Sequence, residues 1–206
     1  MATNAPLLNE PLPVELMNTI WADRTGVYDA LRAPDGTRSW LSAVSARLDV
    51  MTPDGPGTLS SADLDLPGHR LIDLRDALRR LAAEATADPR AAAVLDTRDL
   101  HAAVSALNEA AGAAPRWSAL AWLPGQEPAR TVHASGPAAC AALSAIAEES
   151  IALFCDDDRR RLRACLAPGC VLYFVKNHPR REWCSAGCGN RARAARHYRR
   201  HRGTAA

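Results

Sequence analysis

The chain ends in a stretch, residues 165–202, that reads CLAPGCVLYFVKNHPRREWCSAGCGNRARAARHYRRHR. Its four cysteines form two close pairs, Cys165 with Cys170 and Cys184 with Cys188, and thirteen residues separate the pairs. Each pair can supply two thiolates to a tetrahedral ion from one tight turn, and a spacer of this length can bring the turns together. The spacing therefore predicts one Zn²⁺ bound by four sulfurs. With no position left for water, this site would be structural.

The residues around the pairs predict how the stretch folds. A strand-like run over 171–175, a polar break containing Asn177 and Pro179, and a second run ending at Trp183 predict a hairpin. Residues 190–202 contain no Gly or Pro and consist mostly of Ala and Arg, which favour helix. A cysteine turn, a hairpin and a helix that carries the last ligand in its first turn predict a treble-clef-like zinc finger.

Other uses of the cysteines stay open from the sequence. Disulfides are typical of secreted proteins, but the N-terminus MATNAPLLNE has neither the basic segment nor the apolar run of a secretion signal. A cytoplasmic location with reduced thiols is expected, which favours metal binding. An iron–sulfur cluster can also take four cysteines, although the hairpin and helix favour zinc. His178, His197 and His201 are reserve ligands if one cysteine stays unbound.

The charge of the chain is divided unevenly. Residues 1–158 hold 12 basic and 22 acidic side chains, a net charge of −10, whereas residues 159–202 hold 13 basic and one acidic, a net charge of +12. Such asymmetry predicts a polyanionic partner for the basic end. All of the basic side chains except Lys176 are arginines, so the signal is their clustering and not the choice of Arg over Lys.

The terminal helix is expected to carry much of this charge. Arg193, Arg196 and Arg200 share one face through three- and four-residue spacing. Contacts of such a face with phosphates would make binding steeply salt dependent. The predicted nucleic-acid-binding residues are Lys176, Arg180, Arg181, Asn190, Arg191, Arg193, Arg196, Arg199 and Arg200. In the alternative interpretation, these side chains cover the acidic N-terminal part of the same chain.

Residues 1–157 are predicted to form a mostly helical domain with a small antiparallel sheet, and residues 158–206 the finger, giving an α+β protein. Helices are expected over residues 39–50, 68–86, 97–111, 136–154 and 158–166, with a further helix beginning at Asp88 and Pro89. Strands are expected over 14–21, 116–123 and 129–135. Leu100, Val104 and Leu107 should face the interior, as should at least one of Trp117 and Trp122.

Two classes of protein are disfavoured by what the sequence lacks. It has no Gly-rich phosphate loop, no G-x-S-x-G and no H-E-x-x-H, so we expect no enzyme. Apolar runs fall short of the roughly 18 residues that a membrane span requires, so we expect no membrane partner.

The run Trp183-Cys184, the sequence Cys188-Gly189-Asn190-Arg191 and the Arg-rich helix resemble the CGNR zinc finger. In that family the finger follows an N-terminal domain called ABATE, whose members are regarded as stress-induced transcription regulators. The resemblance implies zinc on the four cysteines and DNA as the partner.

The resemblance is looser elsewhere and is clearest around residues 13–24. This marks Asn18, Trp21 and Arg24 as candidates for a ligand pocket, although Asn18 can instead pair with backbone at a strand end or turn.

The functional hypothesis is a zinc-dependent, DNA-binding bacterial transcription regulator whose N-terminal domain senses a ligand or a partner. One alternative is an adaptor that docks its basic finger on an acidic partner such as RNA polymerase or a sigma factor. Another is an RNA-binding protein. A dimer is compatible with each of these hypotheses.

Overall fold

The computed structural model describes residues 5–48, 51–52, 55–56, 68–90 and 99–202. The helices are α1 (Leu12–Met17), α2 (Gly36–Val44), α3 (Gly68–Thr86), α4 (Leu100–Ala111), α5 (Ala138–Cys155) and α6 (Ala186–Arg202). The strands are β1 (Ile20–Ala22), β2 (Val27–Asp29), β3 (Met51–Thr52), β4 (Gly55–Pro56), β5 (Arg116–Ala121), β6 (Ala129–Ala134), β7 (Leu162–Ala164) and β8 (Tyr173–Val175). Short 3₁₀ helices cover Ala30–Arg32, Ser45–Arg47 and Asp157–Arg160. The predicted α+β class is confirmed.

Helices α1, α3, α4 and α5 pack around the main core. Helix α3 has the predicted bounds, and its Leu71, Leu74 and Leu78 are fully buried. The helix predicted to begin at Asp88 would continue into residues 91–98, which lie outside the described residues.

Among the described residues, α5 is long and apolar enough to cross a membrane. Its Leu143, Ile146 and Ala147 are fully buried against the other helices of the main core. The apolar composition of α5 is thereby explained by packing inside a folded domain.

The largest sheet has the strand order β4-β3-β6-β5, in which β5 and β6 form the predicted hairpin and β3 lies parallel to β6. The expectation that Trp117 or Trp122 enters the core was wrong, because the side chains are 51% and 66% exposed. This end of the sheet packs through small residues instead, namely Ala114, Ala134 and Ala141.

The inward face of α4 differs from the predicted one. Leu100 and Val104 are each 41% exposed, whereas Ala103, Leu107 and Ala110 are buried. The buried positions Ala103, Leu107 and Ala110 are spaced four and three residues apart and so share one face of α4.

The predicted strand over residues 14–21 was also wrong. The chain forms the short helix α1, with Pro13 in its first turn, and only then β1, which pairs with β2. Every residue of α1 is buried, including Glu15. A helix buried on all sides shows no 3.6-residue pattern, so its apolar residues resemble those of a strand.

The basic segment over 158–166 is a 3₁₀ turn followed by β7, and not the predicted helix. Leu162 enters the main core while Arg161 and Arg163 stay exposed, which is the two-residue alternation of a strand. Strand β7 pairs antiparallel with β8. The hairpin therefore encloses the first cysteine pair, instead of lying between the two pairs as predicted.

Asn18 joins the N-terminal domain to this hairpin. Its Nδ2 donates to the Tyr173 carbonyl at 3.0 Å, and its Oδ1 accepts from the Tyr173 N–H at 2.9 Å. The side chain is fully buried, and the amide continues the hydrogen bonding of β8 as a neighbouring strand would. The backbone-pairing interpretation of Asn18 replaces the pocket interpretation.

We expect Asn18→Ala to lower the free energy of unfolding by about 2–4 kcal/mol, because two buried hydrogen bonds are removed and two backbone groups are left unsatisfied. Denaturant titration of the zinc-loaded protein measures this. Asn108→Ala, at an exposed position of α4, is the matched control and should change stability by less than about 0.5 kcal/mol. Equal effects of the two substitutions would contradict the role given to Asn18.

Candidate metal centre and basic helix

The four predicted cysteines converge on one point. Their sulfurs all lie within 4.8 Å of one another. The Cys184 sulfur lies 3.8 Å from that of Cys170 and 3.4 Å from that of Cys188. Four sulfurs at about 2.3 Å from a central Zn²⁺ would be separated by roughly 3.8 Å, so the set fits a tetrahedral ion.

Burial and composition of the cluster indicate a closed structural site. All four cysteines are buried, with exposed fractions of 0–5%. Among the described residues, no histidine or carboxylate joins the group, so the reserve ligands His178, His197 and His201 are not brought to it. The donor set fits one structural zinc.

The first pair is positioned by the loop between β7 and β8. The Cys165 N–H donates to the Leu172 carbonyl at 2.9 Å, and the Cys170 N–H donates to the Ala167 carbonyl at 2.9 Å. The latter bond closes a turn that contains Pro168 and then Gly169, whose φ is +72°. Proline followed by a left-handed glycine is the signature of a type II turn, and this turn directs both sulfurs to one side.

The second pair is positioned by the start of α6. The Ser185 hydroxyl accepts a hydrogen bond from the Cys188 N–H at 3.3 Å, as an N-cap residue does. Cys188 thus lies in the first helical turn, where unpaired N–H groups and the helix dipole favour a thiolate.

The sequence Cys188-Gly189-Asn190-Arg191 has a structural role at each position. A Cβ on Gly189 would lie 3.2 Å from Cδ1 of Trp183, so glycine allows the indole to pack against the helix. Asn190 accepts a hydrogen bond from Arg193 one turn later. Arg191 donates from Nη2 to the Cys188 sulfur at 3.0 Å.

Close contacts among three of the buried thiols shift their pKa values in opposite directions. Hydrogen bonds from Cys170 and Cys184 lower the pKa of Cys165 to about 2. Hydrogen bonding to Cys165 raises the pKa of Cys170 to about 12 and also raises that of Cys184. Zn²⁺ would replace the thiol protons that remain, so zinc binding releases protons and weakens as the pH falls.

Arg191 belongs to the surroundings of the metal centre. Burial alone would lower its pKa, but the charge of Cys188 and the hydrogen bond to that sulfur raise it. Four thiolates around Zn²⁺ carry a net charge of −2, and a guanidinium on one sulfur offsets part of that charge.

Arg181 is a structural residue and is removed from the predicted nucleic-acid surface. Its guanidinium forms an ion pair with the buried carboxylate of Glu10. It also donates to the carbonyls of Val175 and Cys184, each at 3.0 Å, and lies 4.9 Å over the ring of Phe174. These contacts leave only 21% of the side chain exposed.

The other predicted basic residues remain accessible to different degrees. Arg180 is exposed on the finger, and Lys176 is half-buried. Beyond Ala192, which is buried, the side chains of Arg193, Arg196 and Arg199 are exposed on α6. Within the described ranges of the chain, these three arginines form no ion pair with a carboxylate.

The three candidates for a ligand pocket are not brought together as one. Asn18 is buried in its bonds to Tyr173, and Trp21 stacks on Tyr28 with ring centroids 4.6 Å apart. Arg24 is exposed in the turn between β1 and β2.

Sequence reasoning also missed residues that hold the finger in place, among them Glu10 and Arg90. Glu10 accepts from the Val175 N–H at 2.9 Å, and Arg90 donates to carbonyls of the cysteine loop. Both lie far from the cysteines in sequence. Glu10 stands in a mostly apolar stretch of sequence, and Arg90 follows Asp88 and Pro89 in a turn. Neither sequence context indicates a partner far along the chain.

We expect Cys170→Ser to abolish stoichiometric zinc binding, since a closed site loses one of four thiolates. Elemental analysis should give one zinc per chain for the unmodified protein and much less for the variant. Cys155→Ser is the matched control, because Cys155 is exposed and lies outside the cluster. Full zinc content in Cys170→Ser would contradict the assignment.

Arg191→Ala should accelerate zinc release by N-ethylmaleimide several-fold, because a thiolate relieved of a hydrogen-bonded cation is more basic and more nucleophilic. The rate can be followed with a zinc-sensitive dye. Arg193→Ala removes the same charge two residues further along α6 and should leave the rate nearly unchanged. If the two variants release zinc at the same rate, the bond to Cys188 has no such effect.

Comparison with known families agrees with this geometry. Residues 161–201 match the family model of the CGNR zinc finger. Residues 10–157 match the ABATE model, described as "Putative stress-induced transcription regulator". Neither description names an enzyme, and a search of the curated proteins finds no match. Since the ABATE model covers well over half of the chain, the protein belongs to the ABATE family and carries a CGNR zinc finger at its C-terminal end.

Proposed function

We infer that the protein is a zinc-dependent, DNA-binding transcription regulator of the bacterial cytoplasm, with no catalytic activity. In this proposal residues 158–206 bind DNA, while residues 1–157 sense a ligand or a partner protein. The observation that carries it is the exposed arginine surface of α6, which the metal centre holds by its first turn.

The dimensions of α6 suit duplex DNA. An α-helix with its side chains is about 10–12 Å across, and the major groove of B-DNA is about 12 Å wide. Arginines spaced three and four residues apart would reach phosphates on the groove walls or guanine edges on its floor.

The distribution of charge and aromatic residues supports DNA over two alternatives. Where the structure describes the acidic N-terminal domain, none of its carboxylates pairs with Arg193, Arg196 or Arg199, and the three side chains are exposed. Recognition of single-stranded RNA relies on aromatic side chains that stack on bases. On the described exposed part of α6, Tyr198 is the only aromatic residue apart from histidines.

A second candidate function is a protein-interaction adaptor of the transcription machinery. The exposed apolar side chains Leu120, Trp122 and Leu123 lie at the end of the β5–β6 hairpin, and such a patch favours a protein partner. In this candidate the basic finger docks on an acidic surface of RNA polymerase or a sigma factor. Co-purification that persists after nuclease treatment, without salt-dependent DNA affinity, would favour it.

We expect the zinc-loaded protein to bind a random-sequence DNA duplex with an affinity that falls steeply with salt. In Arg196→Gln/Arg199→Gln, the slope of log affinity against log salt should decrease by about 0.9 for each phosphate that the variant no longer neutralises. Fluorescence anisotropy over a salt series measures both slopes.

The matched control is Arg32→Gln/Arg130→Gln, which removes the same charge from exposed positions of the N-terminal domain. The control should retain the original slope. A full-length, zinc-loaded protein without salt-dependent affinity for DNA would refute the proposal. Equal salt slopes for the two double variants would show that Arg196 and Arg199 are not part of the contact surface.

A further inference from the structure

Arg90, from the N-terminal domain, reaches into the loop that carries the first cysteine pair. Its Nη1 donates to the carbonyls of Cys165 and Cys170, each at 3.0 Å, and to that of Leu172 at 3.3 Å. Two of these three acceptors belong to residues whose sulfurs face the metal position. One guanidinium nitrogen therefore holds the backbone on both sides of the turn.

Arg90 is itself fixed by a fork of hydrogen bonds. Its Nε donates to Asp88 Oδ1 at 2.8 Å, and its Nη2 donates to Asp88 Oδ2 at 2.6 Å. The Tyr173 hydroxyl also donates to Asp88 Oδ2 at 2.8 Å, and the guanidinium lies 5.1 Å over the Tyr173 ring. Asp88 lies two residues beyond the end of α3, and its N–H donates to the Ala83 carbonyl at 3.0 Å. The helix, the ion pair and the cysteine loop therefore form one connected network.

The carbonyls of the cysteine loop depend on Arg90 as a hydrogen-bond donor. The loop has few strand contacts, since β7 and β8 are three residues each. The Leu172 carbonyl also accepts from the Cys165 N–H at 2.9 Å, so the carbonyls of Cys165 and Cys170 are the two that depend on Arg90. A buried carbonyl without a donor costs about 1–3 kcal/mol, and a loop that lost this donor would turn these two groups towards water. Each of these carbonyls belongs to the same residue as a metal-facing sulfur. Rotation of the backbone there would therefore also displace the side chain and its sulfur.

We propose that Arg90 is a positioning residue of the metal centre, and that zinc binding and the stability of the end of α3 are coupled through it. Side chains that orient metal ligands typically change metal affinity 10–100-fold when they are removed. Coupling of this kind is reciprocal: if Arg90 improves zinc binding, bound zinc stabilises the conformation in which Arg90 is held. The proposal does not depend on nucleic-acid binding.

The first test is zinc affinity of the full-length chain, measured by competition with a chelator of known affinity. Arg90→Lys keeps the positive charge beside Asp88 but loses the planar group that binds Asp88 through Nε and Nη2 while Nη1 reaches the loop carbonyls. We expect zinc binding to weaken 10–100-fold. Arg80→Lys is the matched control on α3, where the arginine pairs with Glu84 at the surface, and its zinc affinity should equal that of the unmodified protein.

The second test is hydrogen exchange of the unmodified protein with and without zinc, which needs no variant. Amides of residues 83–88, which cover the last turn of α3 and the two residues after it, should exchange roughly tenfold faster after zinc is removed, because local opening then costs less free energy. Those of β5 and β6 should change little. Arg90→Lys with unchanged zinc affinity, or faster exchange confined to residues 161–201, would overturn the proposal. If Arg90→Lys does not fold, the exchange measurement alone decides.

Discussion

The structure depends on satisfying the backbone polar groups of the hairpin that carries the first cysteine pair. Strands β7 and β8 are too short to satisfy them by pairing with each other. Three side chains of the N-terminal domain supply the remaining hydrogen bonds. Asn18 bonds both backbone groups of Tyr173, and Glu10 accepts from the Val175 N–H. Arg90 donates to the loop carbonyls. Metal coordination can draw four sulfurs together, but it cannot supply these hydrogen bonds.

The boundary between the two family matches does not coincide with a boundary between two hydrophobic cores. The ABATE match ends at residue 157 and the finger match begins at residue 161. Across that boundary, Leu162, Tyr173 and Val175 lie in the main core, and Ile20 of the N-terminal domain packs among the zinc cysteines. The two matched regions are therefore joined by a packed connection.

Features with a local physical signature could be predicted from the sequence. Cysteine spacing identified the four sulfurs, and the leucine period of α3 gave its bounds. Helix α1 could not be recognised, because burial on all sides removes the contrast between faces. The roles of Arg90 and Arg181 depend on partners up to 171 residues away, and no local pattern distinguishes an arginine that binds carbonyls from one that faces solvent.

The exposure of α6 has a kinetic consequence. A cationic projection on an otherwise anionic body makes the whole molecule a permanent electric dipole. Near any polyanion, the field would attract the arginine end and repel the remainder, so that the protein rotates before contact. Productive collisions would then outnumber those expected from random orientation, and the excess would shrink as added salt shortens the Debye length.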